Sequence, residues 1–210
     1  MVVHIVKQGE HLSRIAANYG FTDYNKIWND PNNAQLRKDR QNPNVLFPGD
    51  QVFVPDKQTK EDSGATENRH RFKFHGKVPK LRIVLKDAEG QPITDAKCNL
   101  IVETESFDMT TDAQGMIEKR IKPTDENGKL IIQDLGMEVA IKIGHLDPLN
   151  EISGYKARLN NLGYDAGPME EDDELRLRSA VEEFQLDHGL KVDGIIGPKT
   201  QAKLKDVHGC

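Results

Sequence analysis

His11, in the turn Gly9-Glu10-His11-Leu12, is the residue type best suited to proton transfer at neutral pH, because an imidazole titrates there. A catalytic base needs a nucleophile and an orienting partner, and a lone histidine in a turn reads instead as solvent-facing or as a simple hydrogen-bond donor. The 34 acidic residues leave carboxylate chemistry open, since a glycosidase pair is set by separation in space rather than along the chain. Cys98 sits in an alternating strand-like run with no histidine motif near it and reads as a small buried hydrophobe. With Cys210 it makes neither a disulfide framework nor a metal cluster. His-Glu-x-x-His and Cys-x-x-Cys motifs are absent. Asp108, Asp112, Asp125 and Glu126 lack the spacing of a calcium loop and read as solvated turn acids. Trp28 offers a face for stacking, but its place in a short helical piece reads as core. These residues lead to an expectation of no metal, no cofactor and no catalysis.

Stepping outward from His11, the apolar run Val2 to Val6 ends at Lys7-Gln8-Gly9. Leu12, Ile15, Ala16 and Tyr19 then recur at helical spacing, with Gly20 as a stop. A second helical piece is expected from Tyr24 to Asn29, and a returning strand at Val52-Phe53-Val54 after the Pro48-Gly49-Asp50 turn. The motifs His4-Ile5-Val6, Gly9-Glu10-His11-Leu12, Ile15-Ala16, Asn29, Phe47-Pro48-Gly49-Asp50 and Val52-Phe53-Val54-Pro55 resemble the LysM (lysin motif) module. That resemblance implies a βααβ unit with a groove for N-acetylglucosamine glycans. Its two halves would be Gly9, Glu10, His11 and Leu12 on one side and Asn44, Val45, Leu46 and Phe47 on the other. Turn backbone would hydrogen-bond the acetamide and hydroxyls while an apolar floor packs against the methyl and ring faces. The chain departs from the compact pattern between Asn29 and Asn44, where Asp30-Pro31-Asn32-Asn33 and a helical stretch from Ala34 to Arg40 lengthen the connection.

From Asp56 to Asn68 the sequence DKQTKEDSGATEN has no apolar periodicity and reads as a flexible linker, which divides the chain into a first unit at 1–56 and a linker at 57–69. Over 70–145 short strands are expected at Phe72-Lys73-Phe74, Leu81 to Leu85, Cys98 to Val102, Ser106 to Thr110, Met116 to Ile121, Leu130 to Ile132 and Val139 to Ile143. Turns at Glu89-Gly90, Gln114-Gly115 and Asn127-Gly128 separate several of them, a rhythm that favours a small antiparallel sandwich. GQPITDAKCNLIVET and TTDAQGMIEKRI resemble the prealbumin-like or carboxypeptidase-regulatory-like sandwich, a fold with many unrelated roles.

Residues 146–210 turn helical. Ile152, Tyr155, Leu159 and Leu162 share one face, and Leu175, Val181, Phe184 and Leu186 mark a second helix behind the acidic run Glu170 to Glu174. Ala157 to Tyr164, Ala180 to Gln185 and the Asp-Gly-x-x-Gly-x-x-Thr box at Asp193, Gly194, Gly197 and Thr200 resemble the three-helix peptidoglycan-binding domain. Tyr164 and the four box residues are the candidate site that this resemblance implies. In the box, glycines allow a tight turn, while Asp193 and Thr200 are expected to bond local backbone and cap the next helix. Where the family carries a similar box after the first helix, this chain has Met169-Glu170-Glu171-Asp172-Asp173.

The expected fold class is therefore α+β and multidomain. A net charge of -5 argues against a nucleic-acid binder working by phosphate attraction, and no apolar run approaches the roughly 20 residues of a membrane span. No secretory signal fits before Lys7, so the expectation is synthesis in the cytoplasm with action at the cell wall or periplasm. NPNVLFPGDQVFVP together with DPLNEISGYKARLNNLGY resembles proteins of type VI secretion and phage-tail-like injection machines, so action as part of such a machine is the other expected location. The leading expectation is a non-catalytic binder of peptidoglycan glycan strands, an anchor or adaptor whose partner is a spike, baseplate or effector protein. The alternatives are a cell-wall hydrolase or its accessory subunit, and a structural baseplate or adaptor protein whose wall modules serve protein contacts.

Overall fold

A computed structural model describes residues 2–57, 67, 69, 78–169, 171 and 173–209. Most of the expected linker, the strand expected at Phe72-Lys73-Phe74, and Glu170 and Asp172 of the acidic run lie outside the described residues. Helices and antiparallel sheets both occur, so the chain is α+β. Among the described residues, buried apolar side chains collect in three clusters.

In the first, β1 (Val2–Ile5) pairs antiparallel with β2 (Gln51–Val54), Val2 opposite Val54 and Ile5 opposite Gln51. Between them run α1 (Leu12–Asn18), α2 (Asn25–Trp28), a 3-10 turn at Pro31–Asn33 and α3 (Ala34–Asp39). Leu12, Ile15 and Ala16, spaced three and four apart, place one face of α1 against Val6, Ile27, Leu46, Val52 and Val54. Fully burying side chains of this size contributes about 1.5–3 kcal/mol each. Trp28 packs half-buried against this cluster, as expected. The lengthened connection is woven into the unit through Asn33, which is 1% exposed. Its amide donates to the Ile27 and Phe53 carbonyls, and its carbonyl accepts from the Phe53 N–H, each at 2.8 Å.

The second cluster lies between two antiparallel sheets, one of β3 (Lys80–Val84) with β6 (Met116–Arg120), the other in the order β5 (Glu105–Thr110), β4 (Lys97–Val102), β7 (Asn127–Ile132), β8 (Met137–Lys142). Alternation along β4 sends Cys98, Leu100 and Val102 inward to meet Ile117, Leu130 and Ile132. The turn expected at Gln114-Gly115 is present, with Gly115 at φ +71. The turn expected at Asn127-Gly128 is not. Both residues belong to β7, and Gly128 serves a close approach, since a Cβ there would lie 3.2 Å from the Ile101 carbonyl oxygen. The four acids read as solvated turn acids bond separately, and two depart from that reading, since Asp108 lies within β5 and Asp125 is buried. Asp108 accepts from Asn99, Asp112 from the Gln114 and Met116 amides, Asp125 from the Lys122 amide, and Glu126 pairs with Arg14.

The third cluster joins α4 (Ile152–Asn161), α5 (Glu174–Asp187) and α6 (Pro198–His208) through Leu159, Val181, Phe184 and Leu204. Ile152, Leu175 and Leu186, expected on buried faces, are 57%, 82% and 69% exposed. Gly154 is what draws α4 into its actual orientation: a Cβ there would lie 1.9 Å from the Pro148 carbonyl oxygen, so the helix rests backbone to backbone on the incoming segment. That orientation buries Lys156 and Arg158. Lys156 donates to the Pro168 and Glu171 carbonyls, and Arg158 to those of Asp147 and Gly154 at 2.8 and 2.6 Å. Among the described residues, no helix is long and apolar enough to cross a membrane.

Candidate functional site

The Asp193 loop is organised from beneath by Gln185 of α5, 1% exposed. The two N–H groups of its side-chain amide are shared among the Asp193 carboxylate, the Ile195 carbonyl and the Thr200 hydroxyl at 3.0, 3.0 and 3.1 Å. Its side-chain carbonyl accepts from the Asp193 and Gly194 amides at 2.9 and 3.0 Å. One glutamine therefore brings Asp193, Gly194 and Thr200 together. Its spacing was the available signal, since Gln185 lies four residues after the buried Val181 and so on the same helix face.

Asp193 does not cap α6. Its carboxylate accepts from the Ile195 amide at 3.0 Å, an Asx turn, and Gly197 holds the cap position with no side-chain bond. Thr200 does not cap it either: it lies inside α6 and its hydroxyl donates to the Ile195 carbonyl at 3.3 Å. The bond from the Ile195 N–H, then that from Gln185, holds the Asp193 carboxyl below its ordinary range. Gly194 needs its residue type, at φ +67 with a Cβ that would fall 2.6 Å from Arg178 Cγ, whereas Gly197 has open space and a negative φ. Tyr164 attaches to the same helix separately, donating to Asp187 at 2.9 Å and meeting Phe184 edge to face. Burial and the Asp187 carboxylate push its phenol up to about 12.

In the amino-terminal unit the two expected half-grooves are neighbours. The Leu12 N–H donates to the Pro43 carbonyl at 3.1 Å and Ser13 Oγ to Asn44 Oδ1 at 2.9 Å. Asn44 is exposed and Phe47 half-buried beneath the Arg40 guanidinium, while Val45 and Leu46 turn inward at 9% and 4% exposure. Glu10 faces the strand, accepting from the Lys7 amide and from His4 Nε2 at 2.9 and 2.7 Å. Burial alone would raise its carboxyl, but those two bonds outweigh it and hold the group low.

His11 is not solvent-facing. It is 6% exposed and its Nδ1 has no hydrogen-bond partner. Burial, followed by the nearby Arg14 charge, pushes the imidazole down to about 4. The covering atoms come from the far end of the sandwich. A Cβ on Gly144 would lie 2.8 Å from both the Gly9 carbonyl oxygen and His11 Cδ2, and a Cβ on Gly9 2.7 Å from His145 Nε2. Around this contact Gln8 reaches Asp147 at 3.3 Å, Arg14 pairs with Glu126, and Arg40 approaches Asn150 at 3.5 Å. Local sequence carried no signal for this meeting of residues more than a hundred positions apart.

Residues 150–204, a quarter of the chain, match the peptidoglycan binding domain family. No curated protein matches the chain, and no solved structure matches it. The matched stretch contains α4, α5, Gln185, Tyr164 and the whole Asp193 to Thr200 box. The chain thus carries a helical peptidoglycan-binding domain at its carboxyl-terminal end, a domain type that binds rather than cleaves the wall.

Proposed function

We propose that this protein is a non-catalytic peptidoglycan binder of three units, 1–56, 70–145 and 146–210, joined by a linker at 57–69. The observation that carries the proposal is the match of 150–204 to the peptidoglycan binding domain family. In this reading the helical unit makes the wall contact near Tyr164, Asp193, Gly194, Gly197 and Thr200. The LysM-like unit supplies a second, N-acetylglucosamine-binding groove from Gly9, Glu10, His11 and Leu12 with Asn44, Val45, Leu46 and Phe47. Two weak sites on one chain hold a polymeric ligand far more tightly than either alone when both reach it. The biological setting we propose is an anchor or adaptor of a contractile injection or type VI secretion machine, working at the wall or within the machine, with the sandwich facing a spike, baseplate or effector protein. The support for that setting is the sequence resemblance at residues 42–55 and 147–164.

A second reading is favoured by one observation: Gly9 and His11 are packed against Gly144 and His145. A turn already used in a contact within the chain fits a wall module turned to protein contacts. A titration of the labelled full chain with soluble muropeptides, followed by amide NMR, separates the two. Shifts clustered at 164 and 193–200 are the expected result. No shift anywhere, together with tight binding to a purified spike protein, favours the adaptor reading over wall binding.

A further inference from the structure

The contact over Gly9 and His11 has the features of a closure that can open. Both backbones meet at glycines in the left-handed region, Gly9 at φ +81 and Gly144 at φ +82, so the approach leaves no room for a side chain between them. The buried members of the amino-terminal cluster all lie within 6–54, so no apolar side chain of the covering segment joins that core. What ties the segment down is polar and peripheral: Gln8 to Asp147, Arg14 to Glu126, Arg40 to Asn150, and Lys205 to Gln41 at 3.1 Å. Such ties are exchanged for water at little net cost, unlike an apolar interface. The closure also leaves His11 Nδ1 buried and unsatisfied, a cost that opening removes.

We infer that segment 144–147 is a built-in cover for the first half of the amino-terminal groove, and that an N-acetylglucosamine strand reaches Gly9 and His11 by displacing it. This rests on the glycan-binding reading of that unit. The sugar's acetamide and hydroxyls supply a partner for His11 Nδ1, beside the bond that the imidazole already has with Asn44. The regulated step is therefore the separation of the amino-terminal unit from the junction at 144–147, with Arg14 and Glu126 as the latch and the other ties secondary. Glycan affinity in the resting chain is reduced by the fraction of time the cover is closed.

The test uses the full chain with chitohexaose as the probe, read by calorimetry and by hydrogen exchange at the Gly9 and His11 amides. Glu126→Lys with Asn150→Ala removes two ties from the covering side and leaves both half-grooves unaltered. It is expected to speed exchange at those amides and to raise chitohexaose affinity at least tenfold. Adding Arg14→Glu restores the ion pair with reversed sign and is expected to return both readouts toward the starting values. Unchanged exchange, or faster exchange with affinity equal to that of the starting protein, overturns the cover. If no form binds chitohexaose while all still sediment with sacculi, the amino-terminal glycan site and its cover both fall, and wall binding by the helical unit stands.

Discussion

At the scale of single residues, Gln185 and His11 show how differently a buried polar group can be handled. Gln185 satisfies two loop amides and shares its two N–H groups among three acceptors, so the Asp193 loop is held by one side chain. Gln185→Ala leaves the Asp193 and Gly194 amides without partners and is expected to destabilise the helical unit by about 3 kcal/mol, read as a lowered urea midpoint. His11 works in the opposite sense, because its burial outweighs the bond to Asn44 and leaves Nδ1 without a partner. Its imidazole stays neutral in the folded chain down to about 4, while in the unfolded chain it protonates near 6.5. Between those values the unfolded state binds more protons, so the stability is fully present above 6.5 and is lost as pH falls to about 4. His208, also pushed down to about 4 by burial, adds with the same sign. The loss from His11 is on the order of 3 kcal/mol, with Arg14 and Glu10 beside it and His145 and Glu126 facing across the junction. Denaturation from pH 7.5 to 4 measures the slope, and His11→Gln is expected to flatten it; an unchanged slope contradicts the burial argument.

Among the elements, what the sequence made legible was whatever depends on near neighbours. The 3.6-residue spacing of Leu12, Ile15 and Ala16, the alternation through Cys98, Leu100 and Val102, and the Gln114-Gly115 turn each encode their structure locally. Gly128 misled because a glycine signals either a reversal or a close approach, and only the strand packed beside it decides between them. Ile152, Leu175 and Leu186 misled because periodicity gives a helix a face but not the direction that face must point. In α4 that direction was set by Gly154 resting on Pro148, with Arg158 locking the carbonyls beneath. Of the candidate sites, the Asp193 box is joined by contacts between residues close in sequence, whereas the packing of Gly144 and His145 on Gly9 and His11 is a long-range contact. Asn33 provides an element-scale check. It substitutes for a strand partner along β2, so Asn33→Ala is expected to cost about 2 kcal/mol and to raise hydrogen exchange at the Phe53 amide selectively.

For the whole molecule, an α+β chain places a helical wall-binding domain beside a sandwich and a small amino-terminal unit, and all three meet near residues 144–150. That junction couples the units: Arg158 pins the segment to α4, while Gly9, Gln8, Arg14 and Arg40 meet it or its flanks from the other side. The central claim is that the chain holds the wall without cutting it. The direct measurement is to incubate the full chain with purified, dye-labelled sacculi, then quantify protein in the pellet and labelled muropeptides in the supernatant. Saturable sedimentation with no release above buffer is the expected result. Sustained release of soluble muropeptides, or no sedimentation at any sacculus concentration, contradicts the claim.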